Sequence, residues 1–272
     1  MKYKNKNGEI IAMKKSFHGR SMGALSITGQ EAYQEPFGPM LPHIKFAEFN
    51  DLESVKQLIT ENTCAIFLET VQGEGGIYPA TDFFIKGVRQ LCDEHKILMI
   101  SDEIQCGMGR CGQMFAYQIY NIVPDIVVSA KGLGCGIPVG AIGTRGLATG
   151  ILNAGDHGTT YGSNPLATAA VISVFNLYNQ YRILSNVNAM TAYLDKELSE
   201  LVLQKTVIKE VRGLGLMKGI ELFVPATSYI KALQELGIIV IPSGTHVIRL
   251  LPPLIVQKEH IDMLVQALRK IL

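Results

Sequence analysis

The chain has 272 residues, of which 47% are hydrophobic and 18% are charged, and its formal net charge is +1. This balance is typical of a globular protein, and the length predicts one large domain, or one large and one small domain. The near-neutral charge excludes a global attraction to nucleic acid or to anionic lipid. No apolar stretch is long enough to span a bilayer, and the polar start does not resemble a signal peptide, so we expect a cytoplasmic protein without a membrane partner.

The five cysteines are an odd number, which without a secretion signal favours reduced thiols in a cytosol. Cys106 and Cys111 have a spacing that a metal site can use, but no CxxC pair or histidine pair accompanies them. We therefore expect no bound metal.

Short apolar runs alternate with amphipathic stretches over the first two thirds of the chain, which predicts βαβ units on a mostly parallel sheet. The predicted strands cover 64–68, 97–100, 125–129 and 139–143, and the predicted helix covers 82–95. Asn164 and Pro165 then favour the start of a long helix, because Asn suits the N-cap and Pro the first helical position. Its predicted apolar face comprises Leu166, Ala169, Ala170, Val174, Leu177 and Tyr178.

The last third has a different pattern, with four short apolar runs and two amphipathic stretches. The predicted strands cover 207–211, 217–223, 238–241 and 247–251, and the predicted helices cover 227–236 and 259–272. This pattern indicates a smaller α+β unit. We therefore predict a large domain over 1–180, which includes the long helix, and a small domain over 181–272.

Two residues that can carry chemistry follow predicted strands of the parallel sheet. Asp102 follows the strand at 97–100, and Lys131 follows the strand at 125–129. Ligands of such sheets bind beyond the carboxyl ends of the strands, so we expect both side chains in one crevice. An amine-transfer cofactor needs a lysine that forms an imine and a carboxylate that keeps a pyridine nitrogen protonated, and it needs arginines for carboxylate substrates. Alone, each residue is more often a solvated surface group.

Six motifs occur in a fixed order along the chain: SFHGRS (16–21), ETVQGEGG (69–76), DEIQCGMGR (102–110), AKGLG (130–134), HGTTYGSNP (157–165) and RLLPP (249–253). Together they resemble the class III aminotransferases of the ornithine and acetylornithine type, from about Lys14 onward. The resemblance implies an α/β protein with the type I fold of transferases that depend on pyridoxal 5'-phosphate (PLP). That fold has a mostly parallel sheet in a large domain and a small C-terminal α+β domain.

The resemblance also implies a role for each matching residue. Lys131 would form a Schiff base with the cofactor and then move protons between the substrate α-carbon and the cofactor C4′ carbon. The other implied cofactor contacts are Asp102 with the pyridinium nitrogen, Phe17 and Ile104 with the two ring faces, Gln105 with the phenolic oxygen and Thr160 with the phosphate of the partner subunit. The last contact implies a homodimer.

Three further residues resemble the substrate-binding groups of the family. Arg249 would bind the α-carboxylate, Arg20 would bind the distal carboxylate of glutamate or 2-oxoglutarate, and Glu74 would pair with Arg249. Glutamate needs two free arginines, whereas the amino donor presents an amine at its reacting end and would leave Arg249 buried and unpaired. A Glu74 that moves on and off Arg249 would let one pocket serve both half-reactions.

The implied activity is transfer of an amino group from N-acetylornithine, or a related ω-amino donor, to 2-oxoglutarate in arginine biosynthesis. Residues 28–30, 33–34, 36–37 and 72–76 most resemble the acetylornithine enzymes. Ornithine, succinylornithine and 4-aminobutyrate remain open as donors. The sequence does not decide whether His18, Arg110 and Tyr161 have functional or structural roles.

The chain also departs from the family pattern. It carries no Ser-Gly-Ala/Thr-Glu-Ala-Asn loop, whose amides hold the cofactor phosphate at a helix N-terminus in the family. We therefore expect this chain alone to bind PLP weakly and to transaminate poorly. Cys106 and Cys111 stand where the family has threonines, and Cys135 stands where it has glycine. We expect small local effects from these changes, and the cysteine near the lysine loop would make the site sensitive to oxidation.

Two other classes of protein compete with this interpretation. A nucleotide-binding oxidoreductase would use the glycines at 213–219, but a strand-like segment follows them where a phosphate site needs a helix, so we reject it. A non-catalytic chain that has lost the cofactor remains an alternative.

Overall fold

The computed structural model describes residue 3 and residues 8–272, which form twelve strands and eight α-helices. The strands are β1 (Glu9–Met13), β2 (Ile44–Ala47), β3 (Thr63–Glu69), β4 (Val71–Gln72), β5 (Tyr78–Pro79), β6 (Leu98–Asp102), β7 (Ile126–Ser129), β8 (Ala141–Thr144), β9 (Ile208–Leu214), β10 (Met217–Leu222), β11 (Ile241–Ser243) and β12 (Val247–Leu250). The helices are α1 (Met22–Ser26), α2 (Glu31–Gln34), α3 (Leu52–Leu58), α4 (Asp82–His95), α5 (Pro165–Gln180), α6 (Ile183–Gln204), α7 (Thr227–Glu235) and α8 (Lys258–Ile271).

The large sheet has the strand order β2-β1-β3-β6-β7-β8 and is parallel except for the antiparallel pair β7–β8. Its buried side chains, such as Ile66 and Met99, pack against Phe84 and Val88 of α4. This arrangement confirms the predicted α/β class with a mostly parallel sheet. Strands β1 and β2 lie in segments for which we predicted no strand, and the expected strand at 139–143 is an exposed antiparallel edge strand.

The small sheet is antiparallel, in the order β11-β12-β10-β9, and its buried residues share a core with α6, α7 and α8. The glycine-containing segment 213–219 forms the β9–β10 hairpin, which agrees with our rejection of a phosphate-binding helix there. The strand predicted at 238–241 is wrong in position, because β11 covers Ile241–Ser243. Ile238 instead closes the end of α7 with a hydrogen bond from its N–H to Leu233 O.

The helix starts follow local capping rules. The Thr81 hydroxyl accepts a hydrogen bond from Phe84 N, and α4 has the predicted bounds. The Asn164 side chain accepts from Ala167 N at 3.0 Å, with Pro165 at the first helical position.

The predicted apolar face of α5 is only partly the buried one. Val174 is buried as predicted, but Leu166 is 70% exposed and Leu177 is 44% exposed, and Ala167, which lies outside the predicted face, is buried. Because α5 is apolar over most of its circumference, the 3.6-residue pattern does not define which face packs inward. Val174 packs against Met108 and Leu133, and these long-range contacts set the phase.

The turn between α5 and α6, at Tyr181 and Arg182, coincides with the predicted domain division at 180/181. The strands of the large sheet lie before this turn and those of the small sheet after it. The division into two domains stays a prediction. Within the described part of the chain, no helix combines the length and apolarity needed to cross a membrane.

Candidate functional site

A cavity of about 160 Å³ lies beyond the carboxyl ends of β3, β6 and β7. Five of the predicted cofactor-binding residues line it, namely Phe17, Asp102, Ile104, Gln105 and Lys131. This is the edge where ligands bind in parallel sheets. Glu69, at the end of β3, pairs in register with Asp102, so two carboxyl groups enter the same crevice.

Asp102 is 4% exposed, and both of its oxygens have partners within the chain. Its Oδ2 lies 2.7 Å from His18 Nδ1, and its Oδ1 accepts a hydrogen bond from Ile104 N at 3.0 Å. These contacts fix the orientation of a buried carboxylate that faces the cavity. Such a group can stabilise a positive charge on a bound ring nitrogen.

His18, whose role the sequence left undecided, is a direct neighbour of Asp102. Its ring packs edge-on against Phe67 at a centroid distance of 4.5 Å, and its backbone N donates to Thr28 Oγ1 at 2.9 Å. Its Nε2 is buried and has no hydrogen-bond partner among the described residues. His18 therefore belongs to the site, although no local signal distinguishes it from an ordinary buried histidine.

Glu69 is a buried acid that we did not single out from its motif. Its carboxylate accepts hydrogen bonds from Phe17 N at 3.1 Å and from Gly73 N at 3.2 Å. Burial raises the pKa of Glu69 to about 7, while His18 opposes that shift and Asp102 adds to it. Glu69 thus joins the segments that carry Phe17 and Glu74. The available sequence signal was its position at the end of a buried apolar strand.

Ile104 and Gln105 lie on the loop that follows β6. Gln105 Oε1 is buried without a hydrogen-bond partner among the described residues, and a Cβ on Gly73 would lie 2.3 Å from it. Only glycine at position 73 leaves room for this amide. Glu103 anchors the loop, because its buried carboxylate accepts from Ala116 N at 2.7 Å and from Tyr117 N at 3.0 Å. Burial raises the pKa of Glu103.

Lys131 lies on the open side of the site. It is exposed, follows β7, and has a left-handed backbone with a φ of +46°. It also lines a second cavity of about 900 Å³, which is bordered by Arg110, Tyr178 and Pro253. Lys131 therefore borders both the small cavity and this larger crevice. Arg110 has a structural role, because its Nη1 donates to Pro252 O at 2.5 Å and so joins the two sheets.

Arg249 and Glu74 form an ion pair between the two sheets. Arg249, on β12, is 6% exposed, and its Nη1 lies 2.6 Å from Glu74 Oε1 on the turn between β4 and β5. The same Nη1 donates to Gly73 O at 3.1 Å, whereas Arg249 Nε is buried with no partner among the described residues. The guanidinium group thus retains an unused donor, as an anion-binding arginine requires.

The structure does not bring Arg20 and Thr160 into the lining of the small cavity. Arg20 is exposed, and its guanidinium carbon lies 4.0 Å from the Tyr33 ring centroid and 5.5 Å from that of Phe17. Thr160 is on the exposed surface, and Tyr161 beside it is 81% exposed. Their predicted roles stay predictions.

The residues of the small cavity fit the ring of PLP. A buried carboxylate faces a lysine amine across one cavity, and the unpartnered Gln105 Oε1 and His18 Nε2 mark polar groups that a ligand or solvent can satisfy. Cys106 also lines this cavity, and burial raises the pKa of its thiol well above the usual range and lowers its reactivity.

The chain is similar to known aminotransferases over most of its length. The family model described as "Aminotransferase class-III" matches residues 1–272. The chain is 44% identical over 264 residues to the acetylornithine aminotransferase of Methanocaldococcus jannaschii, covering 97% of this chain and 66% of that protein. It is 47% identical over 255 residues to the acetylornithine aminotransferase of Clostridium acetobutylicum, covering 93% of this chain and 66% of that protein.

Among solved structures, the ornithine aminotransferase of Toxoplasma gondii superposes with a TM-score of 0.92 at 28% identity, covering 98% of this chain and 65% of that one. The chain therefore spans about two thirds of the length of these relatives.

Proposed function

Because the chain belongs to the class III aminotransferases, we propose that it serves the PLP-dependent transfer of an amino group from N-acetylornithine to 2-oxoglutarate, a step of arginine biosynthesis. The observation that carries this proposal is that Lys131, Asp102 and Gln105 line one cavity at the carboxyl ends of the parallel strands. The acetylornithine aminotransferases among the relatives support the choice of donor.

Bound PLP would supply an aldehyde and a pyridinium ring that absorbs the charge left when a substrate C–H proton departs. Lys131 Nζ would hold the aldehyde and would carry that proton. The Asp102 carboxylate would keep the ring nitrogen protonated, and His18 Nδ1 keeps this carboxylate oriented. Phe17 and Ile104 would cover the ring faces and exclude water, and Gln105 would bond the phenolic oxygen.

The two arginines would divide the substrate between them. Arg249 binds the α-carboxylate of glutamate, and Arg20 binds the distal carboxylate. When an amine donor occupies the site, Glu74 neutralises Arg249, as in the contact of 2.6 Å between their side chains. This exchange keeps a buried guanidinium group paired in both half-reactions.

We also propose a homodimer in which Thr160 reaches the cofactor phosphate of the partner subunit. The exposed position of Thr160 at the start of the long helix α5 supports this role, because the hydroxyl group is free to meet a second chain. The odd number of cysteines, five in all, supports a reducing, cytoplasmic location.

Ornithine is the second candidate donor, since one curated relative, 40% identical over 267 residues, is the ornithine aminotransferase 1 of Staphylococcus saprophyticus. Succinylornithine and 4-aminobutyrate are further alternatives. A chain without catalytic activity is the alternative from another class, and it predicts no spectral change with PLP.

The test is a titration of the chain with PLP, monitored through the absorbance band of the cofactor. Borohydride reduction and peptide mapping then identify the lysine that carries the cofactor. We expect the label on Lys131, and a label on another lysine would contradict the assignment. Half-reactions with each donor then rank the substrates, and faster conversion of 4-aminobutyrate than of N-acetylornithine would refute our choice. The same titration tests the expectation that PLP binds weakly.

A further inference from the structure

One buried hydroxyl group bridges the two ends of the turn that carries Glu74. Ser243 is 1% exposed, and its Oγ donates to Gly73 O at 2.9 Å while it accepts from Gly76 N at 2.8 Å. These two backbone groups flank Glu74. The Ser243 hydroxyl group therefore uses both its donor and an acceptor site to close this turn. A residue with neither function cannot replace it without leaving the buried Gly76 N–H unpaired.

Ser243 belongs to the same sheet as the arginine that Glu74 contacts. It lies on β11 and pairs with Val247 of β12, while Ile241 of β11 pairs with Arg249. The Ser243 hydroxyl and Arg249 Nη1 both donate to Gly73 O. The backbone of the turn is therefore placed by the strands that also place Arg249.

Further contacts hold the backbone of the turn on both sides of Glu74. Gly73 N donates to Glu69 at 3.2 Å, and Gly76 O accepts from Arg212 Nε at 2.7 Å. A Cβ on Gly75 would lie 2.6 Å from Lys15 O, so the turn is also confined on the side of the large sheet. The Glu74 side chain, at 28% relative exposure, is the accessible part of this otherwise fixed segment.

We propose that Ser243 is a positioning residue that holds Glu74 opposite Arg249 and thereby sets the balance between amine donors and dicarboxylates. The inference rests on the proposed function. The amine-donor half-reaction needs Glu74 on Arg249, whereas the glutamate half-reaction needs Arg249 free. Loss of the hydroxyl group leaves Gly76 N–H buried and unpaired, so the turn relaxes and Glu74 pairs less well with Arg249.

The first experiment compares Ser243→Ala with the parent chain in both half-reactions, with PLP bound. We expect kcat/KM for N-acetylornithine to fall about tenfold and kcat/KM for glutamate to change less than about threefold. Thr191→Val is the matched control, because Thr191 Oγ1 is a buried hydroxyl oxygen without a hydrogen-bond partner in the described part of the chain. Equal losses in both half-reactions, or no loss, would overturn the proposal.

A double-mutant cycle distinguishes positioning of Glu74 from a general loss of packing. In a Glu74→Gln background, Ser243→Ala should no longer change the ratio of the two kcat/KM values, since its effect runs through the Glu74 carboxylate. A ratio that falls by the same factor in both backgrounds would show that Ser243 acts by another route.

A measurement without cofactor tests the contact itself. Hydrogen exchange over residues 70–80 should quicken about tenfold or more at the Gly76 amide in Ser243→Ala and stay unchanged in Thr191→Val. Unchanged exchange would overturn the positioning role even if transamination is normal. If the parent chain processes no amine donor, the proposed function fails, and the role of Ser243 in specificity fails with it. Hydrogen exchange at the Gly76 amide tests only whether Ser243 holds the turn.

Discussion

The two sides of the small cavity differ in how firmly the chain holds them. On one side, the groups of Phe17, His18, Glu69 and Asp102 are linked by hydrogen bonds and are mostly buried. On the other side, Lys131 is exposed. The edge strand β8 and the segment that carries Thr160, which do not line the cavity, are exposed as well. The chain thus arranges the buried side through its own contacts, and it leaves the Lys131 side open to a bound group or a second subunit.

The register of the parallel strands explains the buried side. It places Glu69 beside Asp102, and two neighbouring carboxyl groups cannot both ionise freely in a buried crevice. His18 and the amides of Phe17, Gly73 and Ile104 offset this cost. The remaining cost is visible in the pKa of Glu69, which burial raises to about 7.

Removal of the amine from the open side should have the largest effect. Lys131→Ala should lower the transamination rate at least about 1,000-fold, because the covalent link to the cofactor is lost. Borohydride reduction should then leave no label on the peptide that contains position 131. Lys86→Ala, which removes an amine from an exposed ion pair, is the control and should be neutral. A normal transamination rate for Lys131→Ala would contradict the role assigned to Lys131 on the open side of the cavity.

The buried side should respond most strongly to pH. The pKa of Glu69 is about 7 in the folded chain against an ordinary value of 4.5, so its stabilising contribution is full below pH 4.5 and is lost as pH rises through 7. The loss is about 3 kcal/mol, from about 1.4 kcal/mol for each unit of pKa. Urea unfolding of the cofactor-free chain at pH 4.5 and 7.5 should show this change relative to Glu69→Gln.

Glu53→Gln, at an exposed carboxylate, is the control for this pH series and should follow the parent chain. The stability difference between the parent chain and Glu69→Gln should vary across the pH range. A constant difference would show that Glu69 does not titrate with a raised pKa.

Removal of the charge that faces the ring should weaken cofactor binding without unfolding the chain. Asp102→Asn keeps an oxygen for Ile104 N but loses the carboxylate, so we expect PLP affinity to fall about 30-fold to 100-fold, or about 2–3 kcal/mol. Absorbance titration measures the change. Asp93→Asn, on the exposed end of α4, should leave the affinity unaltered. Equal affinities for parent and Asp102→Asn would contradict the assigned role.

The smallest effect should come from Thr160. Because Thr160 is exposed, Thr160→Ala should change the free energy of unfolding by less than about 0.5 kcal/mol. If Thr160 reaches the phosphate of a partner subunit, the same change should weaken PLP binding about threefold to tenfold. Thr159→Ala is the matched control, and an equal effect of both variants would count against the role of Thr160. The titration is best repeated at two protein concentrations, because the contact needs a second chain.

Local sequence patterns predicted many of the secondary-structure elements. The bounds of α4 and the cap of α5 depend on groups within about four residues, such as Thr81 with Phe84 and Asn164 with Ala167. The positions of Asp102 and Lys131 after apolar strands likewise predicted one crevice. We did not predict strand β1, because its apolar run is short and the adjacent sequence gives no signal that identifies it as a strand.

Only the tertiary structure decided which distant groups meet. His18 contacts Asp102 across 84 positions, Arg249 contacts Glu74 across 175, and Ser243 closes a turn 170 positions away. These contacts depend on strand order and register, which local periodicity does not encode. The sequence alone thus determined the family, the chemistry of its motifs and the ends of several helices. The folded chain determined the pairing of the buried acids, the phase of α5 and the serine that holds Glu74, because each depends on packing between separate elements.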